Sequence, residues 1–197
     1  MTDAFAPALL GYGMGSLPLG FLLTRRLKGI DLRRVGSRNV GAANVHRTAG
    51  LKVALLVVAI DFAKGAGSVL LATRLLGGID ATVTAGVAAI IGHVYPIWLR
   101  FGGGKGVATA CGVFATLAPV ASAIAATGFI ATVWITRYVS LGSVVATAAL
   151  PPLAWLLDSP AAVVAGGTIA ALIIIPRHAG NLARVADGTE RRLGQRV

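Results

Sequence analysis

The chain has 197 residues, of which 56% are hydrophobic and only 13% are charged, and its mean hydropathy is +0.80. This composition excludes an ordinary soluble domain of the same length and favours a membrane protein. The formal net charge is +11, but the cationic residues lie between apolar segments and do not form a basic arm or face. We therefore expect no nucleic-acid partner.

Apolar stretches follow one another along the chain, at about 5–24, 52–76, 81–99, 107–136, 138–157 and 160–176. Several are apolar nearly all round and approach the ~20 residues that cross ~30 Å of hydrocarbon. None shows the alternation of a barrel strand. The sequence predicts an all-α polytopic membrane helical bundle that forms a single domain over residues 1–197. No basic region precedes the first apolar run, so we expect no cleaved signal peptide.

The stretch at 107–136 decides the number of crossings. As one helix it gives six, and the arginine-rich tail then lies across the membrane from the arginine-rich loop after the first helix, which the positive-inside rule disfavours. If Pro119 divides it, there are seven crossings, and every cationic residue except Lys64 and Arg74 is cytoplasmic. We therefore predict seven transmembrane helices, with the N-terminus outside and the C-terminus in the cytoplasm. The segment 107–118 is then short, so it must tilt, lie at the interface or be shielded.

The first polar segment that could bind a ligand or take part in chemistry is 36–50, which mixes small residues, amides, a hydroxyl and guanidinium groups. Its side chains can donate hydrogen bonds, its glycine permits close backbone approach, and its arginine can chelate a phosphate. The candidate ligands are Ser37, Asn39, Gly41, Asn44 and Arg47. The alternative interpretation is an arginine-rich loop that only sets topology.

The second polar segment is 101–109, where a run of glycines surrounds Lys105 and leads into an apolar helix. Glycines can free backbone N–H groups to surround an anion, the helix N-terminus adds a favourable dipole, and the lysine adds a full charge. This pattern predicts a phosphate site at Gly103, Gly104, Lys105 and Gly106. It is not a Walker A loop, because no Ser or Thr follows the lysine. A flexible turn with one interfacial lysine is the alternative.

The third polar segment is 177–190. Its residues His178, Asn181 and Arg184 have i, i+3, i+6 spacing, so a helix would place a donor or base, an amide and a guanidinium on one face. Under the seven-crossing topology, all three polar segments emerge on the cytoplasmic side.

Ionisable residues also lie within the membrane segments. Asp61 and Lys64 have i, i+3 spacing on the second apolar stretch, and His93 lies near the end of the third. Buried charges are costly, so we assign this group to structural support of the site, with a self-neutralising ion pair as the alternative. The single cysteine, Cys111, excludes a disulfide or thiolate metal site within the chain, and we predict no metal and no cofactor.

In the order and spacing of these segments the chain resembles the PlsY family of acyl-phosphate:glycerol-3-phosphate acyltransferases. The family's first motif, Gly-Ser-Gly-Asn-Pro-Gly-Ala-Thr-Asn and a later arginine, resembles residues 36–47. Its second, Gly-His, then Pro and Phe-x-Gly-Gly-Lys-Gly-Val-Ala-Thr, resembles 92–109. Its third, Arg-His-x-x-Asn-Ile-x-Arg-Leu-x-x-Gly-x-Glu, resembles 177–190.

Two shorter patterns also fit the family, Asp-x-x-Lys-Gly at 61–65 and Thr-Arg-Tyr-Val-Ser at 136–140. The chain departs from the first motif at three positions, where Arg38 replaces a glycine, Val40 a proline and Ala43 a threonine. In the second motif, Gly102 stands where the family often has lysine.

The resemblance implies a seven-helix membrane enzyme of the bacterial cell membrane with its active site at the cytoplasmic face. Its substrates would be acyl phosphate and glycerol 3-phosphate, with membrane lipid around it, and its reaction the first acylation of phospholipid synthesis. The residues we expect to be catalytic are Ser37, Asn39, Arg47, Lys105, His178 and Asn181. Those we expect to bind substrate are Gly41, Asn44, Gly103, Gly104, Gly106 and Arg184.

Two other functions stay open at this point. The altered first motif is compatible with a non-catalytic protein that binds a phosphate metabolite or lipid. Asp61 and Lys64 within the membrane are compatible with a small transporter. Transport predicts polar residues spread across the depth of the membrane, whereas here they cluster at one face.

Overall fold

The computed structural model describes residues 4–195, and within that range all regular structure is helical. The α-helices in chain order are α1 Phe5–Ser16, α2 Leu19–Lys28, α3 Ala42–Ala49, α4 Leu51–Leu75, α5 Ile79–Val94, α6 Val107–Leu117, α7 Pro119–Thr136, α8 Val139–Leu156, α9 Ala161–Ile174 and α10 Ala179–Ala186. Short 3-10 helices lie at Ile97–Leu99 and Pro176–His178. The all-helical fold class predicted from the sequence is confirmed.

Six helical segments of the described chain are long and apolar enough to cross a membrane. They are Phe5–Lys28, Leu51–Leu75, Ile79–Leu99, Pro119–Thr136, Val139–Leu156 and Ala161–Ala186. Helix α6 is apolar but has only 11 residues, which at 1.5 Å per residue is about 17 Å, shorter than the hydrocarbon core. Large apolar side chains remain exposed on the long helices, such as Ile135 at 79% and Leu172 at 70%, as expected of surfaces that face lipid.

Prolines interrupt the apolar stretches at two places. Pro119 is the first residue of α7 and separates it from α6, so the predicted division of 107–136 is confirmed. The first apolar stretch, 5–24, lies within one candidate membrane span, Phe5–Lys28, but the chain breaks between α1 and α2. The physical reason is Pro18, which has no N–H and forces Leu17 into an extended conformation at ψ 118.

The contacts of the chain divide it into two compact units, and the first runs to Val113. In this unit α1 packs so closely against α5 that a Cβ on Gly11 would overlap the backbone of Ala85, and a Cβ on Gly15 that of Ala89. The glycine spacing on the first helix therefore serves close helix packing. A separate apolar core joins α2, α3 and the start of α4 beneath the loop at 29–41.

The second unit runs from Phe114 to Gln195. Helix α8 packs against α7 and α9, and α10 lies against α8. Helix α7 is followed by Arg137, a left-handed residue with φ 66 that caps its C-terminus. Its carbonyl accepts a hydrogen bond from Leu193 N at 2.7 Å, which holds the tail after α10 against the end of α7.

Candidate active site

The loop before α3 is built around the side chain of Asn44, which is 1% exposed. Its Oδ1 accepts a hydrogen bond from Ser37 N at 2.9 Å. Its Nδ2 lies 2.8–3.3 Å from the carbonyl oxygens of Leu32, Val35 and Asn39. Because the amide is used within the loop, the structure gives Asn44 the role of shaping the loop, whereas the sequence placed it among the ligands.

Asn39 joins the first polar segment to the second. Its Nδ2 donates to the carbonyl oxygen of Gly103 at 3.2 Å, and its Oδ1 accepts from Gly41 N at 2.8 Å. The predicted meeting of these two segments is therefore observed. The Ser37 side chain is exposed and makes no hydrogen bond to any residue within 4–195, so its hydroxyl is available to a substrate.

The glycine run at 103–104 serves packing, which differs from its predicted role. Gly103 N donates to the Val94 carbonyl and Gly104 N to the His93 carbonyl, both at 3.1 Å. These two N–H groups are therefore not available to an anion, contrary to the sequence interpretation. A Cβ on Gly104 would overlap His93 Nε2, and a Cβ on Gly103 would overlap the His93 carbonyl oxygen. Only glycine allows the loop to lie this close to the end of α5.

The part of this segment that can still bind an anion is the start of α6. Gly106 has φ 91, and its carbonyl accepts from Ala110 N at 2.8 Å in the first turn of the helix. The first N–H groups of a helix have no partner within the helix and carry the positive end of its dipole. Lys105 is half-buried immediately before this helix start and adds a full positive charge.

Asp61, Lys64 and His93 form one buried cluster, and each is at most 8% exposed. Lys64 Nζ lies 3.0 Å and His93 Nδ1 3.4 Å from Asp61 Oδ1. The other ring nitrogen of His93 lies against Gly104, so contacts run from Asp61 through His93 to the glycine loop. The cavity beside the cluster measures about 20 Å³, the size of one water molecule and too small for a metabolite.

In the second unit, Glu190 gathers three polar side chains. Its Oε1 accepts from Asn181 Nδ2 at 2.6 Å and from Ser140 Oγ at 3.1 Å, and its Oε2 lies 2.8 Å from Arg184 Nε. Burial alone would raise the pKa of the Glu190 carboxyl, but the hydrogen bonds from Asn181 and Arg184 outweigh it and lower the pKa. Glu190 was not among the predicted site residues. The signal that could have found it is the glutamate that ends the third family motif, which falls at Glu190.

His178 is 3% exposed, and its Nδ1 lies 2.9 Å from the carbonyl oxygen of Ile174. A carbonyl can only accept, so this contact needs the hydrogen on Nδ1 and leaves Nε2 of the neutral ring as an acceptor. Of the three residues with predicted helical spacing, Asn181 and Arg184 come together on Glu190. The Nδ1 of His178 contacts the last turn of α9.

Comparisons with known proteins agree with one another. A family model described as glycerol-3-phosphate acyltransferase matches residues 5–188. The glycerol-3-phosphate acyltransferase of Syntrophotalea carbinolica is 45% identical over 193 residues, with 98% of each chain covered. That of Myxococcus xanthus is 46% identical over 193 residues, covering 98% of this chain and all of the other.

Two solved structures are also similar to this chain. Both are crystal structures of PlsY, an integral membrane glycerol 3-phosphate acyltransferase. The glycerol 3-phosphate form gives a TM-score of 0.91 at 36% identity, covering 97% of this chain and 96% of the other. The lysophosphatidic acid form gives 0.89 at 35% identity, covering 97% and 95%.

Proposed function

This chain belongs to the glycerol-3-phosphate acyltransferase family, and on that premise we propose that it acylates the 1-hydroxyl of glycerol 3-phosphate with acyl phosphate as donor. The products are lysophosphatidic acid and inorganic phosphate, in the first acylation step of phospholipid synthesis. The observation that carries this proposal is the Asn39 bond to the Gly103 carbonyl, because it joins the Ser37 loop to the segment that holds Lys105.

The chemistry asks little of the protein beyond alignment of two phosphate-bearing substrates. An acyl phosphate is a mixed anhydride, so its carbonyl is already activated. The 1-hydroxyl oxygen attacks that carbonyl, the new ester bond forms, and the bond between the carbonyl carbon and the phosphate oxygen breaks. The hydroxyl proton passes to a phosphate oxygen of the substrate, so no protein base is required. Such alignment can lower a barrier by about 7–11 kcal/mol at best.

We assign the residues by the chemistry of their side chains. In the first unit, Ser37, Asn39, Lys105 and the start of α6 bind one phosphate, and Arg47 is the bidentate ligand for the other. In the second unit, His178, Asn181 and Arg184 orient the attacking hydroxyl and its phosphate. Glu190 holds two of these three in place, since it bonds both Asn181 and Arg184.

We propose seven crossings, with α6 as a short one, and a single integral membrane domain over residues 1–197. The active site then faces the cytoplasm of a bacterial cell, with the N-terminus outside and the C-terminus inside. The acyl chain stays in the bilayer, because each buried methylene contributes about 0.8 kcal/mol. The topology can be tested with single cysteines introduced into a Cys111→Ala chain. We expect a thiol reagent to label Asp80→Cys from outside only and Arg191→Cys from inside only. Labelling of both from the same side would contradict it.

The test of function is product formation by the purified protein in detergent. We expect lysophosphatidic acid from glycerol 3-phosphate and palmitoyl phosphate, and none from palmitoyl-CoA. Lys105→Ala should abolish the product. Lys52→Ala, which removes an exposed charge at the start of α4, is the matched control and should leave activity unchanged. A folded wild-type protein that binds both substrates without turnover would favour the non-catalytic binding function instead.

A further inference from the structure

Arg38 holds a backbone conformation that its side chain disfavours. Its φ is 57, in the left-handed region, at the end of a turn in which Arg38 N donates to the Val35 carbonyl at 3.0 Å. Glycine adopts this conformation without penalty, whereas the Cβ of any other L-residue crowds the backbone. Strain of this kind persists where the surrounding structure fixes the backbone, and such residues cluster at functional sites.

The charge of Arg38 is not neutralised by the protein. The residue is exposed, and its guanidinium forms no hydrogen bond or ion pair with any residue in the described range. The acidic group of its segment, Asp31, is taken by Arg33, whose Nη2 lies 2.7 Å from Asp31 Oδ2. That pairing lowers the pKa of the Asp31 carboxyl to about 2, so the carboxylate stays charged and engaged. Arg33 itself also lies over the Phe21 ring.

Arg38 lies between two residues of the proposed phosphate site. It follows Ser37, whose hydroxyl is available, and precedes Asn39, which reaches the Gly103 carbonyl. We propose that Arg38 is a specificity-determining residue that attracts the phosphate of an incoming substrate to this loop. The inference rests on the proposed function, and it makes Arg38 a residue that strengthens substrate capture without taking part in bond formation.

The experiment measures KM for each substrate and Tm for wild type, Arg38→Gly and Arg38→Lys. Arg38→Gly should raise KM for at least one phosphate substrate by about three- to fivefold, the size of an exposed charge interaction, with kcat nearly unchanged. The substrate whose KM changes is the one that Arg38 attracts. Tm of Arg38→Gly should rise by about 2–4 °C because the left-handed strain is relieved. Arg38→Lys should keep the wild-type KM, and high salt should remove the difference.

Arg34→Gln is the control, because it removes an exposed charge from the same segment outside the 36–44 loop, where Arg34 Nε lies 4.0 Å from Asp31 Oδ2. It should leave both KM values unchanged. An unchanged KM in Arg38→Gly, an equal increase in Arg34→Gln, or a fall in Tm together with kcat would each overturn the inference. Calorimetry of glycerol 3-phosphate and of a non-hydrolysable acyl phosphonate separates the role of Arg38 from the proposed function. If wild type gives no product, the proposed function fails. If Arg38→Gly still binds one of these compounds more weakly than wild type does, the role of Arg38 is supported.

Discussion

The buried pair of Asp61 and Lys64 gives the sharpest test of the idea that charge inside this helix bundle supports the site. The two side chains are joined at 3.0 Å, and each is no more than 8% exposed. Lys64→Met leaves the Asp61 carboxylate with His93 alone, and Asp61→Asn leaves the ammonium group without an anion. Each single change should therefore lower the free energy of unfolding by about 3–5 kcal/mol, the usual effect of breaking a buried ion pair.

The double variant Asp61→Asn/Lys64→Met should be much less damaging than the sum of the two. It removes both charges together, the amide can still meet His93, and Met fills most of the volume of the lysine chain. Replacement of a whole buried pair is often close to neutral, so we expect a coupling free energy of at least about 2 kcal/mol. Arg74→Met is the control, since it removes an exposed charge from the end of the same helix and should change stability by less than about 0.5 kcal/mol.

Unfolding of the four proteins in detergent, followed by circular dichroism, gives the stability cycle, and the acyl-transfer assay is run on the same samples. The supporting role predicts that the double variant keeps most of its activity once its fold is retained. A double variant as unstable as either single change would refute the electrostatic reasoning. A stable but inactive double variant would place the pair in contact with substrate.

Three other changes test the site from its geometry. Gly104→Ala should reduce activity at least about tenfold and destabilise the fold by about 1–3 kcal/mol, because the new Cβ overlaps His93 Nε2. Gly102→Ala, which meets a carbonyl only at 3.3 Å, is its milder control in thermal melts. Asn44→Asp keeps the acceptor but brings a carboxylate against three carbonyl oxygens, so it should be at least as damaging as Asn44→Ala, measured as faster proteolysis at 36–41. Glu190→Gln should lower stability at pH 7. The lowered pKa of Glu190 contributes stability that is fully present above the unfolded value of 4.5. This difference should be lost as the pH falls from that value through the lower pKa of the folded state.

Features fixed by local chemistry could be predicted from the sequence. Apart from the stretch at 5–24, which α1 and α2 share, the apolar stretches give helices of about the expected lengths. Pro119 starts α7 as expected, and Gly11 and Gly15 mark the close contact of α1 with α5. The family motifs also pointed to the segments that Asn39 joins. These predictions succeed because proline geometry, glycine size and hydrophobic length act over a few residues.

Other features depend on which partner a polar group finds in three dimensions. Asn44 has a side chain that could bind a ligand, but its amide is bonded to three carbonyls and one N–H of its own loop. The N–H groups of Gly103 and Gly104 are donors that α5 already uses. Glu190 collects Asn181 and Arg184 from nine and six residues away, a distance that helical spacing does not reveal. Periodicity cannot assign hydrogen-bond partners across turns.

The most direct measurement of the central claim is a time course that quantifies lysophosphatidic acid and inorganic phosphate in one reaction. Purified wild type receives palmitoyl phosphate and glycerol 3-phosphate, and Lys105→Ala of equal thermal stability runs beside it. The account predicts equal molar amounts of the two products from wild type and neither from the variant. Phosphate without lysophosphatidic acid, or undiminished product from Lys105→Ala, would contradict it.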